Sequence, residues 1–396
     1  MTGQSSFADD PQMSAAFVSQ VLTEESCVQR LQPEWDALVV ACEARACLHF
    51  AWAWAGWRHN MAVRGAKLCV ITVRQGGRLV GLWPLACLAR RLHRELRPLG
   101  WDEWDSVDLM VMPGEKQADI AALLWRAAAT QGDTVYVPYA SGTTLLAQTL
   151  PAATLLATHD KFTSYVADFT GHADFDSYCA TIGHSPRGLV KRERGLGRHG
   201  ELVFQVESDP GEKLRVLRWA LDQKKAWALQ RGMTSTTLNL PHFEDFLQSL
   251  LACCNDQSPS RLFSLRLNGT PIAVNLAAVS QTVLTMNVVV FDPAWSKHSP
   301  GILLQGRSIE WAQAHHLVVD YSVMGMPYKE QWCNSRDRLT RYLAALTPRG
   351  CLPVAWHRQR LAYRRLRSRY RRALGWVVSR LIKPWAGKIL IRIRSA

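Results

Sequence analysis

At Ser299-Pro300-Gly301 the chain sets a hydroxyl residue, an imino acid and a glycine at the mouth of an apolar run over residues 302–314. Those types in that order suit the start of a helix: serine as N-cap, proline at the first helical position, glycine where a ligand must approach the backbone. The unpaired amides of such a turn carry partial positive charge and welcome an anion. This makes Ser299, Pro300, Gly301 and Ile302 a candidate pyrophosphate cradle, with plain helix capping as the alternative. One helix dipole contributes only about 0.3 to 1 kcal/mol per charge, so a nucleotide would need further cations. The segment holding Arg187, Lys191, Arg192, Arg194 and Arg198, opposed by Glu193 and Glu201, supplies a candidate set that could reach donor phosphates or an anionic acceptor. A solvated charged face is the competing reading.

Other patterns are set aside. Residues 195–200, "GLGRHG", match G-x-G-x-x-G, but they follow "VKRER" and precede the strand "LVFQVE", the reverse of a dinucleotide fingerprint. His315-His316 lies late on its helix with no matching cysteine or carboxylate array, so a satisfied pair at a helix end is expected. The ten cysteines are scattered, with one adjacent pair, Cys253 and Cys254, and no C-x-x-C spacing. Reduced thiols, no disulfide framework and no metal are expected. P-loop, H-E-x-x-H and nucleophile-elbow patterns are lacking.

The elements that must position these residues come in two similar sets. "LCVITVRQGGRLVGLWPLACL" from Leu68 and "LFSLRLNGTPIAVNLAAV" from Leu262 each read as strand, two-residue turn and strand. Gly76-Gly77 and Asn268-Gly269 supply the positive φ of tight hairpins. The turns stand 192 residues apart, which points to two copies of one α/β unit. Around the first hairpin are a helix bearing Trp35, Trp52, Trp54 and Trp57, read as core rather than ligand stacking, a helix over 117–129 and the strand "TVYVPY". Around the second come the strand "LVFQVE", two helices, the strand "TVLTMNVVVF", the helix 300–316, the strand "LVVDYSV" and a last strand "RLTRYLAAL". With 396 residues, two domains are expected.

Charge separates the tail from the rest. Residues 349–396 hold fourteen Lys or Arg and no acid, leaving 33 residues of each sign in the body. A basic body face of the kind nucleic acid requires is therefore not indicated. Apolar residues at Leu361, Leu366, Tyr370, Leu374, Val377 and Leu381, with arginines between, predict a basic amphipathic helix over 357–382. Three partners fit residues 354–396: an anionic membrane surface, favoured by Trp376 and Trp385, nucleic acid, or the protein's own body. No apolar run is long enough to span a bilayer and the N-terminus has no secretory pattern, so a protein that is either free in the cytoplasm or peripheral on the inner membrane face is expected.

The run "FDPAWSKHSPGILLQGRSIEWAQAHHLVVDYSVMGMPYKEQW" resembles the C-terminal signature of the acetyltransferase-like proteins linked to cellulose biosynthesis (CelD-like), a branch of the GNAT fold related to FemAB peptidyl transferases. The matching positions are Asp292-Pro293, Ser299-Pro300-Gly301, Asp320 and Pro327-Tyr328-Lys329. The family has an acidic pair before Pro-Tyr-Lys; here Met324-Gly325-Met326 stands there, so any base or clamp from that pair is lost. The resemblance implies an α/β (α+β) fold of two tandem GNAT-like domains with mixed central sheets. The expected boundaries are 1–165, 166–350 and a helical tail 351–396. It implies acyl-CoA (acetyl-CoA) as co-substrate, its pyrophosphate on the turn 299–302 with help from Arg187, Lys191 and Arg192. It offers Asp320 as base or orienting group, Tyr328 as acid and Lys329 as holder of a phosphate or carboxylate. The implied activity is transfer of an acyl group to an amine or hydroxyl in making an exopolysaccharide such as cellulose. The alternatives are a catalytically silent accessory protein of a polysaccharide synthase and a tRNA-dependent aminoacyl transferase.

Overall fold

The computed structural model describes residues 16–100, 106–151, 154–158, 162–183, 186–232, 240–252, 258–322 and 327–377. Its first half runs β1 (Phe17–Leu22), α1 (Glu25–Arg30), α2 (Gln32–Ala41), α3 (Phe50–Gly56), β2 (Lys67–Gln75), β3 (Arg78–Ala89) and β4 (Arg94–Pro98). It continues through β5 (Met110–Val111), α4 (Gln117–Gln131), β6 (Thr134–Ser141), α5 (Leu145–Gln148), β7 (Leu156–Thr158) and β8 (Phe162–Ala167). The second half runs α6 (Phe175–Thr181), α7 (Pro186–Gly197), β9 (Leu202–Val206), α8 (Pro210–Gln230), α9 (Phe243–Leu251), β10 (Ser260–Leu267), β11 (Thr270–Val279) and β12 (Val283–Phe291). It ends with α10 (Pro300–Ala314), β13 (Val318–Asp320), α11 (Pro327–Glu330), β14 (Ser335–Ala345) and α12 (Pro348–Val377).

The hairpin turns set the register. Gly76 and Gly77 take φ of 57° and 84°, and Asn268 and Gly269 take 49° and 76°, the positive values that match a tight turn to the twist of its strands. Gln75 therefore faces Arg78, and Leu267 faces Thr270. Both expected hairpins form.

One mixed sheet carries the whole molecule, in the order β1-β2-β3-β4-β6-β14-β8-β13-β12-β11-β10-β9, with β5 and β7 on its sides. Read inward from either end, the path is the same. Three antiparallel pairs lead from β1 to β4 and from β9 to β12; a parallel pair follows, β4 with β6 and β12 with β13. The next strand is then exchanged. β14, from the second half, lies antiparallel to β6, whereas β8, from the first, lies antiparallel to β13, and the two meet at the centre. Two tandem units of α/β (α+β) type, each with a mixed sheet, are thus present, and each is completed by the other's last strand. A boundary at 165/166 falls inside β8.

Helices cover both faces. In the second half, Val274, Leu276, Val288 and Val290 point toward α8 and α9 and join the first half's core, where Trp52 meets Phe246 of α9 edge-on. Ala273, Ala277 and Met286 point the other way and pack under α10, α7 and α6. The tryptophans expected on one helix sit on three segments: Trp35 on α2, Trp52 and Trp54 on α3, and Trp57 on the wide turn Trp57–Met61. The chain breaks between them because Glu43 adopts a left-handed φ of 46° and Arg45 and His49 are extended. Trp35, Trp52 and Trp57 are core residues, as expected.

The helix expected from 357 begins at Pro348. Its first turns belong to the body: Val354 is fully buried with Leu343, Ala345 and Ala157, and Leu361 packs beside them. Gly350 passes so close to Asp133 that a Cβ there would lie 1.9 Å from the Asp133 carbonyl oxygen. Residues 378–382 of the expected helix, Trp385, the Met324-Gly325-Met326 departure and the Cys253-Cys254 pair lie outside the described residues, as does the side chain of Trp376.

Because each half lacks a strand without the other, residues 1–165 and 166–350 made as separate polypeptides are expected to be insoluble or to lack a cooperative melt. The intact chain is expected to show one calorimetric transition; two resolved transitions, or soluble folded halves, would contradict the exchange as a stability constraint.

Candidate functional site

β12 and β13 are paired over three positions only, Val283 with Val318, Leu284 with Val319 and Thr285 with Asp320. Immediately beyond, the register of β12 against β11 slips: Ala277 faces Met286, whereas Leu276 faces Val288. Asn287 is the extra residue, a β-bulge that bends β12 away from its neighbour. From residue 286 to 291, β12 pairs only with β11 among the described residues, and its other edge opens into a wedge. An unpaired strand edge offers amide and carbonyl groups to an extended amide-bearing ligand.

One wall of the wedge ends at Asp320, only 4% exposed. Its Oδ2 accepts from Nη1 of Arg45 at 2.6 Å, and its Oδ1 accepts from the Ser164 hydroxyl and, at 2.7 Å, from the Ser322 amide. Arg45 stands 275 residues away, in the first half, and Ser164 is on the exchanged strand β8. Three donors engage both carboxylate oxygens of the residue expected as base or orienting group, and through them it joins the two halves.

The cations are lysines. Lys329, on α11, is 7% exposed, and its Nζ donates to the Tyr321 carbonyl at 2.5 Å. Burial lowers its pKa to about 8, Asp320 partly restoring it and Lys224 lowering it further. Lys224, on α8, reaches the free edge of β12, where its Nζ donates to the Val289 carbonyl at 3.3 Å; burial lowers its pKa as well. Nearby Cys333 is pushed up to about 12, by burial first and then by Asp320, which makes it an inert thiol. His49, four residues on from Arg45, is lowered to about 4 by burial and stays neutral.

The turn at Ser299 differs from expectation. Ser299 occupies the N-cap position, but in a left-handed conformation (φ 53°, ψ 53°) with no side-chain hydrogen bond into the helix. Its carbonyl instead accepts from the Ile302 and Leu303 amides at 3.1 and 3.3 Å. Pro300 has no N–H, so within this turn Gly301 supplies the amide that remains for a ligand. Gly301 is buried, and a Cβ on it would lie 3.0 Å from the ring of Phe291. The glycine admits that ring, and one free amide makes the turn a narrower seat than the pyrophosphate cradle expected at 299–302.

The basic segment is helix α7, which packs antiparallel to α10: Gly195 approaches His298, Glu193 pairs with Arg307, and Leu189 lies against Gly306. Arg187 and Lys191 are exposed toward the end remote from Ser299, and Arg192 folds back to the Gly188 carbonyl at 2.9 Å. These three do not converge on the turn at 299–302. The end of α7 that does approach it carries His199, whose ring packs against Trp295 and His298. The "GLGRHG" stretch ends a helix, consistent with its rejection as a fingerprint.

Near the bulge and α10, three buried amide oxygens have no donor among the described residues: Asn275 Oδ1, Asn287 Oδ1 and Gln305 Oε1. Asn275 approaches Ser308 at 3.5 Å, and Gln305 donates to the Gly301 carbonyl at 3.1 Å. Unspent hydrogen-bonding capacity beside the bulge is what a polar ligand would use. A separate surface pocket of about 310 Å³, lined by Asp168, His172, Gln313 and His316, lies at the other end of β13 from Asp320. His315 stacks on Trp311 at 3.9 Å, and no group that could hold a metal occurs among the described residues. The side chain of Tyr328 lies outside the described residues.

The sequence singled out Asp320 and Lys329 and did not single out Arg45, Ser164, Lys224 or Asn287, which the fold brings to the same end of β12 and β13. No local signal marks Arg45 or Ser164. Lys224 was readable only as one of two adjacent lysines on an amphipathic helix.

Residues 186–330 match the family described as an acetyltransferase (GNAT) domain. No curated protein matches the chain in sequence. Among solved structures, FemX aligns with a TM-score of 0.57 at 10% identity, over 81% of this chain and 96% of its own. The C-terminal domain of a putative lysylphosphatidylglycerol synthetase from Agrobacterium fabrum aligns with a TM-score of 0.50 at 14% identity, over 83% and 96%. At these identities the likeness is one of fold.

A lysine whose folded pKa is depressed costs stability while it must carry charge, and the cost fades as pH rises through the folded value toward the unfolded one. With a folded value of about 8 against the ordinary lysine value of 10.5, Lys329 costs on the order of 3 kcal/mol at neutral pH. Urea unfolding of the native chain and of Lys329→Met from pH 7 to 10 is expected to show the native chain gaining on the variant above pH 8. A constant difference would mean that Lys329 keeps an ordinary pKa.

Proposed function

We propose that the chain is an acyltransferase that moves an acyl group from an acyl-CoA thioester to an amine or hydroxyl acceptor, in the opening between β12 and β13. The observation that carries the reading is Lys329, a buried amine of pKa about 8 at the mouth of an unpaired strand edge. The attacking nitrogen or oxygen bonds to the thioester carbonyl carbon and must shed its proton, the carbon–sulfur bond breaks, and the thiolate leaves. A base of pKa near 8 suits that proton transfer at physiological pH, whereas Asp320 has both oxygens engaged. Lys329 takes the acceptor proton; Asp320, with Arg45, holds the end of β13 in place. Lys224, at the Val289 carbonyl, adds positive charge where the tetrahedral oxyanion develops. Tyr328, adjacent to Lys329, is the residue the family resemblance offers to protonate the thiolate. The same resemblance suggests exopolysaccharide assembly as the setting.

A second reading, an aminoacyl-tRNA donor in place of acyl-CoA, draws support from the Ser299 turn, where one buried glycine amide is a small seat for a pyrophosphate. Melting curves across CoA, acetyl-CoA and longer acyl-CoAs are expected to rise by several degrees, since a ligand at a hundredfold excess over Kd contributes about 2.7 kcal/mol. The transfer rate is expected to climb with pH through about 8, as Lys329 loses its proton, and to fall strongly in Lys329→Arg. Protection by aminoacyl-tRNA alone would select the second donor. Flat curves with both would leave an accessory protein that keeps the fold without the chemistry.

A further inference from the structure

Helix α12 has two apolar stripes. At 3.6 residues per turn, Val354 and Leu361 fall on one side, and that side packs on the body. The opposite side carries Leu352, Trp356, Tyr363, Leu366 and Tyr370, all within about 40° of one line along the helix and each 65–70% exposed. Arg360, Arg364 and Arg367, all exposed, run along one flank of that outer stripe, whereas Arg358 and Arg365 lie nearer the body side, where Arg365 donates to the Thr158 carbonyl at 3.3 Å. Isolated exposed apolar residues need no explanation, but a continuous row of five on one helix marks a contact surface.

We infer that α12 is a docking helix that lays its outer stripe into the surface of an anionic lipid bilayer while its inner stripe holds it to the protein. Among the described residues no helix is long and apolar enough to cross a membrane, so the helix lies in the plane. Leucine enters the acyl boundary, tryptophan and tyrosine sit at headgroup level, and the row Arg360, Arg364 and Arg367 reaches lipid phosphates. A second copy of the chain fits poorly. The stripe, with Gln359, follows the 4-3-4-3 spacing of a helix pair, but residues 349–396 contain no acid, so pairing would set arginine against arginine. Nucleic acid would satisfy the arginines and leave five large apolar side chains in water. An anionic bilayer satisfies both.

The test is co-sedimentation of the full chain with phosphatidylcholine vesicles and with vesicles that also contain phosphatidylglycerol, at low and high salt. Binding is expected only to the anionic vesicles and is expected to weaken with salt. Arg360→Glu with Arg367→Glu should lower the affinity at least about tenfold, each basic residue near such a surface contributing about 1 kcal/mol. Trp356→Ser with Leu366→Ser should also weaken it severalfold, without lowering the melting temperature, since both positions are exposed. No sedimentation with anionic vesicles overturns the inference, as does sedimentation undiminished by the serine pair. So would vesicle-free self-association that the serine pair abolishes, or binding to duplex RNA that it leaves intact while vesicles stay unbound.

Discussion

The hydrogen bonds that β8 and β14 make across the centre of the sheet are the constraint on which the other features rest. Each strand leaves the half that encodes it and closes the sheet of the other, so neither half can satisfy its own backbone alone. The core follows the same logic, because α9 is pressed between its own sheet and the first half's α3. The site follows it too. Asp320 ends a strand of the second half, yet a first-half arginine and a serine on the exchanged strand occupy its oxygens. A buried carboxylate is tolerable when its lone pairs are engaged in this way, and the three donors fix the end of β13 where the wedge begins.

Within that frame the charges at the wedge are unequal. The carboxylate is fully engaged, whereas Lys329 donates to one backbone carbonyl and Lys224 to another, with the Trp227 ring centroid 5.0 Å from its ammonium, and burial depresses the pKa of both. A fold kept only for its shape would do better with apolar side chains at both positions. The bulge at Asn287 has the same character, giving up ladder bonds to hold an edge open, and it stands among amide oxygens with unused capacity. Local frustration of this kind collects where a protein meets its ligand.

Much of the fold could be read directly. The Gly-Gly and Asn-Gly turns announce hairpins because only residues that accept positive φ can make them, and their 192-residue separation reveals the repeat. The helix after Ser299 and a strand through Asp320 were equally plain, though the expected strand "LVVDYSV" is paired as β13 only over Val318–Asp320. What stayed hidden depends on contacts far apart in the chain. The exchange of β8 and β14 leaves no trace in periodicity, since a strand reads alike whichever sheet receives it. Arg45 looks like any loop arginine until the fold carries it to Asp320. The serine turn misled for a different reason: composition specifies who stands at a helix start, not that Ser299 turns left-handed and spends its carbonyl on the first amides.

The two halves are alike in path and unlike in equipment. In the first, α4 occupies the place that α10 holds in the second, but it begins at Lys116-Gln117 with Asp119 in its first turn and no Ser-Pro-Gly ahead of it. That half has kept the framework of its twin without the anion-suited entry. Ordinarily such a duplicate is free to erode. Here it is not, because its final strand is the scaffold of the wedge and its arginine clamps the carboxylate there, so the first half is held to what the second needs of it.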